Sequence, residues 1–190
     1  MRYILASASP RRQELLALVL DDPFEVQVSD VDEETELSDP AQLVQELAKR
    51  KAQAVAKGQK DAIVFGADTV VALDGQIFGK PRDRQQAKAM LEQLSGRTHT
   101  VYTGVAVLHA ESGRLLCEAD CTQVTFAPMQ QEEIEAYLDT GEYADKAGAY
   151  GIQGGAAKHI EGILGCYFNV MGLPVHSTYR LLKRILRGEG

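Results

Sequence analysis

Two long runs of strand-forming residues, roughly 100–110 and 115–126, flank the short turn Glu111-Ser112-Gly113. A link that short folds one strand back on the other, because a parallel return needs a crossover of a dozen or more residues. The chain is therefore committed to a sheet containing a long antiparallel hairpin. Asp74-Gly75, set between apolar runs, predicts a second hairpin with a two-residue turn. The N-terminal part reads differently. Apolar runs at 3–6, 24–28 and 62–65 alternate with helical patterns. Ser9 and Pro10 start the first helix, with Leu15, Leu16, Leu18 and Val19 on it. Asp39-Pro40 starts the second, and Gly58 ends it. Further helices are predicted after Asp83, over 130–138, and after Ser177, whose hydroxyl is expected to cap the last one. Residues 160–170 read as strand and turn. Crossovers and hairpins in one chain imply an α/β fold on a mixed central sheet with flanking helices. The length of 190 residues, without repeat or linker, fits a single domain.

Composition excludes several function classes. Lys plus Arg number 20 against 27 Asp plus Glu, a formal charge of −7. Nucleic-acid affinity rests on neutralising phosphates with cations, so a nucleic-acid partner is disfavoured. No apolar run nears the roughly 20 residues that span a bilayer, so no membrane is expected. Pro10 comes too soon for a signal peptide. Cys117, Cys121 and Cys166 are an odd number with no ligand-like spacing, which makes a reducing, cytoplasmic location the default.

Some charged residues stand in odd places. Arg11 and Arg12 fall in the first turn of a helix, where the backbone is already positive. Free N–H groups plus guanidinium forks there suit a phosphate; two solvated arginines are the plainer alternative. Lys51 shares a helical stripe with Val44, Ala48 and Val55 and must either snorkel to water or meet an anion. Asp68 follows an apolar strand at its carboxyl end, where open α/β sheets place ligands, although it could equally cap a turn. Thr69 beside it could do the same. The glycine- and alanine-rich segment 145–154 carries Lys146 and Gln153, and Lys80 sits in a Gly-Lys-Pro turn. Each feature alone has a bland explanation. Together, several cations with the carboxylates Asp68 and Glu33 are the kit for a metal-bound polyphosphate.

Seven ordered blocks then carry a resemblance: LASASPRRQELL (5–16), LAKRKAQAV (47–55), GADTVV (66–71), GKPRD (79–83), LSGRTHTVYTGV (94–105), DKAGAYGIQG (145–154) and VMGLP (170–174). The chain resembles the Maf family of nucleoside triphosphate pyrophosphatases over almost its whole length. The resemblance implies one ITPase-like domain, residues 1–190, with two lobes around a nucleotide cleft. It implies hydrolysis of a nucleoside triphosphate to a monophosphate and pyrophosphate, with a divalent metal cation (Mg, Mn or Co) as cofactor. Asp68 matches the family's proton acceptor and is expected to bind the metal, with Glu33 a second ligand. Lys51 and Lys80 are expected to act in catalysis. Ser7, Arg11, Arg12, Thr69, Lys146 and Gln153 are expected to bind substrate.

The family divides by substrate, and one branch resembles dTTP and UTP pyrophosphatases. Another, acting on 7-methyl-GTP, has an aromatic at the position of Arg12, Gln at that of Thr69 and Glu at that of Gln153. This chain matches the dTTP/UTP branch at all three. House-cleaning of nucleotide pools is the implied role, modified pyrimidine nucleotides included. The competing readings are a 7-methyl-GTP pyrophosphatase and a nucleotide-binding regulator of cell division without turnover. A homodimer is expected only because two-fold dimers are common.

Overall fold

The long hairpin is the axis of the molecule. In a computed structural model that describes residues 1–189, β5 (Thr98–His109) and β6 (Arg114–Phe126) pair antiparallel from Thr98↔Thr125 to His109↔Arg114. They belong to a seven-stranded mixed sheet. β3 (Ala62–Leu73) runs antiparallel to β5, and β1 (Arg2–Leu5) lies parallel to both β3 and the two-residue β2 (Glu25–Val26). β4 (Gln76–Phe78) folds back on β3 through Asp74-Gly75, which both take positive φ as that turn requires. β7 (Ile160–Leu164) closes the far edge on β6.

One stretch of β3 has no neighbour on one side. β1 pairs with it only as far as Leu5↔Phe65, and β4 takes over only at Val71↔Phe78. Between them, residues 66–70 present a free strand edge. β1 runs parallel to β3 and β4 runs against it, so the carboxyl ends of both converge on this gap. Ligands of open α/β sheets bind at such reversals.

Helices cover both faces. α2 (Pro40–Ala56), capped by Asp39 accepting from Gln42 N–H, lies on one face and buries Val44, Leu47, Ala48, Ala52 and Val55. α1 (Pro10–Leu16) and α6 (Val175–Leu186) pack on Ile63, Phe65 and Ala67 of the other face. Beyond them α3 (Arg84–Leu94) and α4 (Gln131–Asp139) enclose a second core with Phe78, Val101 and Phe126. α2 sits unusually close to the sheet. A Cβ on Gly66 would lie 2.2 Å from the Ala48 carbonyl oxygen, and one on Gly104 2.2 Å from that of Val44. Only hydrogen fits at either place.

The structure corrects several expectations. The strand that was to end near Phe65 continues to Leu73, because β5 is long enough to pair with it through Ala72↔Thr100. Asp68 is thus inside a strand, opposite Gly104, rather than at a strand end; what ends before it is the pairing with β1. Residues 160–170 are not all strand and turn: β7 stops at Leu164, and α5 (Tyr167–Met171) follows. Ser177 does not cap the last helix. Pro174 holds that position, and the Ser177 hydroxyl donates to Asp120 at 2.9 and 3.1 Å. Ser9 does occupy the N-cap of α1, but its side chain makes no capping bond.

Candidate active site

A cavity of about 1400 Å³ opens at the unpaired edge of β3. Every residue singled out from the sequence borders it. Ser7 comes from the end of β1, Arg11 and Arg12 from α1, Lys51 from α2, and Asp68 and Thr69 from β3. Lys80 follows β4, Glu33 lies in the acidic loop before α2, and Lys146 and Gln153 belong to the glycine-rich segment. Alternation sends Asp68 toward α2 and Thr69 toward α1. Both still reach the cavity because the strand edge between them is open.

Lys51 does not snorkel to water. Its Nζ lies 2.5 Å from Asp68 Oδ1 and 2.7 Å from Glu33 Oε1, with only 12% of its side chain exposed. The close seat of α2 on Gly66 and Gly104 brings the lysine to this depth. Burial works against ionisation of Glu33, yet the hydrogen bond from Lys51 and the charges of Lys51, Lys80 and Arg12 hold its pKa below the usual carboxylate range. One ammonium thus faces two carboxylates, which leaves a net negative charge at the centre. Arg50, the next residue back on α2, donates to the carbonyls of Asp32 (3.3 Å) and Glu34 (2.9 Å) and so brackets Glu33.

Arg12 is held differently. Nε donates to the Gly172 carbonyl (2.9 Å), Nη1 to Ser7 Oγ (3.3 Å) and Nη2 to Thr69 Oγ1 (3.1 Å). All three partners are neutral. Among the described residues no carboxylate lies within ion-pair distance of Arg12 or of Lys80, whereas Arg11 pairs with Asp145 at 3.0 Å and Lys146 with the same carboxylate at 2.8 Å. Burial draws the Arg12 pKa down, with Asp68 partly restoring it. Burial pushes Asp145 up, but the hydrogen bonds from Lys146 and Arg11 outweigh that and keep it below its usual range. A half-buried guanidinium without a counter-ion is costly unless an anion completes it.

The described residues of the protein do not by themselves form a full metal centre. Among the described residues no group of three or more His, Cys, Asp or Glu side chains could hold an ion. What it offers is two carboxylates meeting at one point, with Asp68 Oδ2 and Glu33 Oε2 left over from the Lys51 pairs. Hard oxygen donors, one or two from the protein and the rest from phosphates and water, are what Mg²⁺ takes. The donor set therefore fits a cation that arrives with a polyphosphate.

Sequence reading missed the residues behind this surface. Arg50 was indistinguishable from its basic neighbours. Thr103 and Asn169, both fully buried, carry no positional signal, because a polar residue in a strand or short helix looks alike whether it faces water or a buried network. Tyr150 borders the cavity and joins buried His99 through a 2.7 Å hydrogen bond.

Comparison with known proteins finds relatives over almost the whole chain. The description of Maf-like proteins matches residues 2–185. A dTTP/UTP pyrophosphatase of Symbiobacterium thermophilum is 53% identical over 182 residues, covering 95% of this chain and 92% of that protein. One from Clostridium novyi is 50% identical over 184 residues, covering 95% and 96%. Among solved structures, the Ham1 protein of Staphylococcus aureus superposes over all of both chains with a TM-score of 0.58 at 15% identity. A HAM1 protein from Coxiella burnetii gives 0.54 at 16%, covering 99% of each. At such identities these two structures speak for the fold alone.

Proposed function

The chain belongs to the Maf-like protein family, and from that premise we propose that it is a dTTP/UTP pyrophosphatase, releasing the monophosphate and pyrophosphate. The observation that carries the reading is the uncompensated cation Arg12 standing across the cavity from the Lys51–Asp68–Glu33 cluster. The two sides suit a triphosphate and its accompanying cation.

In this reading the triphosphate lies along the open edge of β3. Arg12 offers its unused N–H groups to the phosphate oxygens, with Ser7, Arg11, Lys80 and Lys146 around it. Asp68 and Glu33 would hold the divalent cation, which when bound neutralises phosphate charge and polarises the P–O bonds. Lys51 engages Asp68 Oδ1, so Oδ2 is left for both the cation and the attacking water, and its second lone pair is the one to take the water's proton. Attack falls on the α-phosphorus, and pyrophosphate leaves. Lys51 and Lys80 stabilise the charge that develops on the non-bridging and leaving oxygens. No thiol or imidazole is needed for a covalent step.

Gln153 at the rim can donate and accept, which suits the imide edge of thymine or uracil. Arg12, Thr69 and Gln153 are the residues in which this chain matches the pyrimidine branch, and this favours dTTP and UTP over 7-methyl-GTP. Three unpaired thiols suit a reducing, cytoplasmic compartment. Among the described residues no helix is long and apolar enough to cross a membrane. A homodimer is the expected assembly, and light scattering at working concentration decides it.

A panel of nucleoside triphosphates with Mg²⁺ or Mn²⁺, with pyrophosphate and orthophosphate detected separately, tests the reading. Pyrophosphate from dTTP and UTP is expected. Orthophosphate with a diphosphate product, or no turnover of any nucleotide, would contradict it.

A further inference from the structure

We infer that Thr103 and Asn169 are positioning residues for Arg12, acting through Thr69, and that Thr69 serves the phosphate-binding arginine rather than the base. The inference rests on the phosphate reading of the cavity given above.

The hydrogen-bond directions are forced. Thr103 Oγ1 lies 2.9 Å from the Asn169 carbonyl oxygen, which can only accept, so the single hydroxyl proton of Thr103 points there. The 2.9 Å contact between Thr69 Oγ1 and Thr103 Oγ1 must then be donated by Thr69. That leaves Thr69 only lone pairs, and one of them receives Arg12 Nη2 at 3.1 Å. An arginine can only donate, so the chain runs one way: Arg12 to Thr69 to Thr103 to the backbone of α5.

The far end of the chain is anchored. Asn169 is wholly buried, and its Nδ2 donates to the Val101 carbonyl at 3.0 Å and to Thr122 Oγ1 at 2.9 Å. This ties α5 to both strands of the long hairpin. The same short helix ends at Gly172, whose φ of 113° is open to glycine and whose carbonyl accepts Arg12 Nε at 2.9 Å. Arg12 is thus gripped from two sides by one buried polar assembly. Its three protein bonds use three of the five guanidinium N–H groups and leave one on each Nη. With no carboxylate among the described residues to take them, those two are the natural fork for a phosphate. Thr69 has no proton left to give a pyrimidine carbonyl, so its part is to set Arg12 for the phosphates.

The test uses Thr103→Val, Thr103→Ser, Thr69→Val and the Thr69→Val/Thr103→Val pair. Inorganic tripolyphosphate is the probe for phosphate binding by calorimetry, and UTP the probe for turnover. Thr103→Val is nearly isosteric and removes the relay; it should raise the tripolyphosphate Kd and the UTP KM together, each about tenfold. The preference for UTP over purine triphosphates should not move. Thr103→Ser keeps the hydroxyl and should restore both constants to within about twofold of the parent. The double variant should bind no more weakly than Thr69→Val alone, because the relay is already cut. A purely structural role would lower the melting temperature without moving the Kd of folded protein, and would overturn the inference. So would a loss confined to UTP with tripolyphosphate binding intact, since Thr69 would then be reading the base. Should Thr103→Val not fold, Thr69→Val against the same two probes makes the decision. Failure of the hydrolytic reading shows elsewhere, as parent protein that binds tripolyphosphate but releases no pyrophosphate from UTP.

Discussion

Asp68 has one oxygen on Lys51 and one without a protein partner among the described residues, and a substitution separates a base from a mere salt-bridge partner. Asp68→Asn keeps the volume and removes the base. Loss of a general base typically costs about 10² to 10⁴ in rate, so kcat on UTP should fall by that much while the melting temperature stays near the parent's. Turnover within a few-fold of the parent would remove Asp68 from the chemistry. Lys51→Met has a sharper signature than a snorkelling lysine would give. Removing the ammonium leaves a buried carboxylate beside a second one, which is destabilising. The variant should melt below the parent without metal, and added Mg²⁺ should raise its melting temperature more than it raises the parent's. Equal shifts would mean that the two carboxylates do not share a cation. Gln153→Glu sets a charge against a pyrimidine carbonyl. It should cut kcat/KM for dTTP and UTP by about one to two decades and spare purine triphosphates. At this scale the charged residues were legible, because a cation on an apolar stripe or in a helix's first turn is conspicuous. Thr103, Asn169 and Arg50 were not, because their roles exist only once β3, α2 and α5 are brought together.

Among the elements, α2 and β3 set the site's depth. Gly66 lies two residues before Asp68 on the same face, and Gly104 is its partner across the ladder. Both let the helix backbone rest on the sheet. Gly104→Ala should therefore cost about 1–3 kcal/mol by overpacking, read as a lower denaturation midpoint, and should lower kcat as Lys51 is lifted from Asp68. Loss of stability with unchanged kcat would show that the seat of α2 does not govern the pair. Helix starts at Asp39 and Asp83 and the Asp74-Gly75 turn were readable from sequence because capping and positive φ are local. The length of β3 was not, because its second half is stabilised by pairing with a strand some thirty-five residues away. Nor was the role of Ser177, which is decided by Asp120 across the sheet.

The whole molecule is acidic, with a charge of −7, yet five cations border one cavity. The fold achieves this by stopping β1 and β4 short of each other on one edge of β3. The stability of the fold has a pH-dependent element one hydrogen bond behind the cavity wall. His99 is buried beside Phe126 and Tyr150, and burial depresses its pKa to about 4. A histidine depressed on folding contributes stability that is complete above its unfolded pKa near 6.5 and is lost as pH falls toward 4. The parent should lose stability across that window by on the order of 3 kcal/mol more than His99→Gln does, as read from melts at stepped pH. Parallel curves for the two proteins would show that folding does not depress the His99 pKa.

In the proposed reaction Asp68 directs water onto the α-phosphorus of a pyrimidine triphosphate held at the open edge of β3. Hydrolysis of UTP in water labelled with heavy oxygen, with both products analysed by mass spectrometry, tests it most directly. One labelled oxygen is expected in the uridine monophosphate and none in the pyrophosphate. Label in the pyrophosphate would mean attack at the β-phosphorus, and would contradict the assignment of Asp68 and of the cations around it.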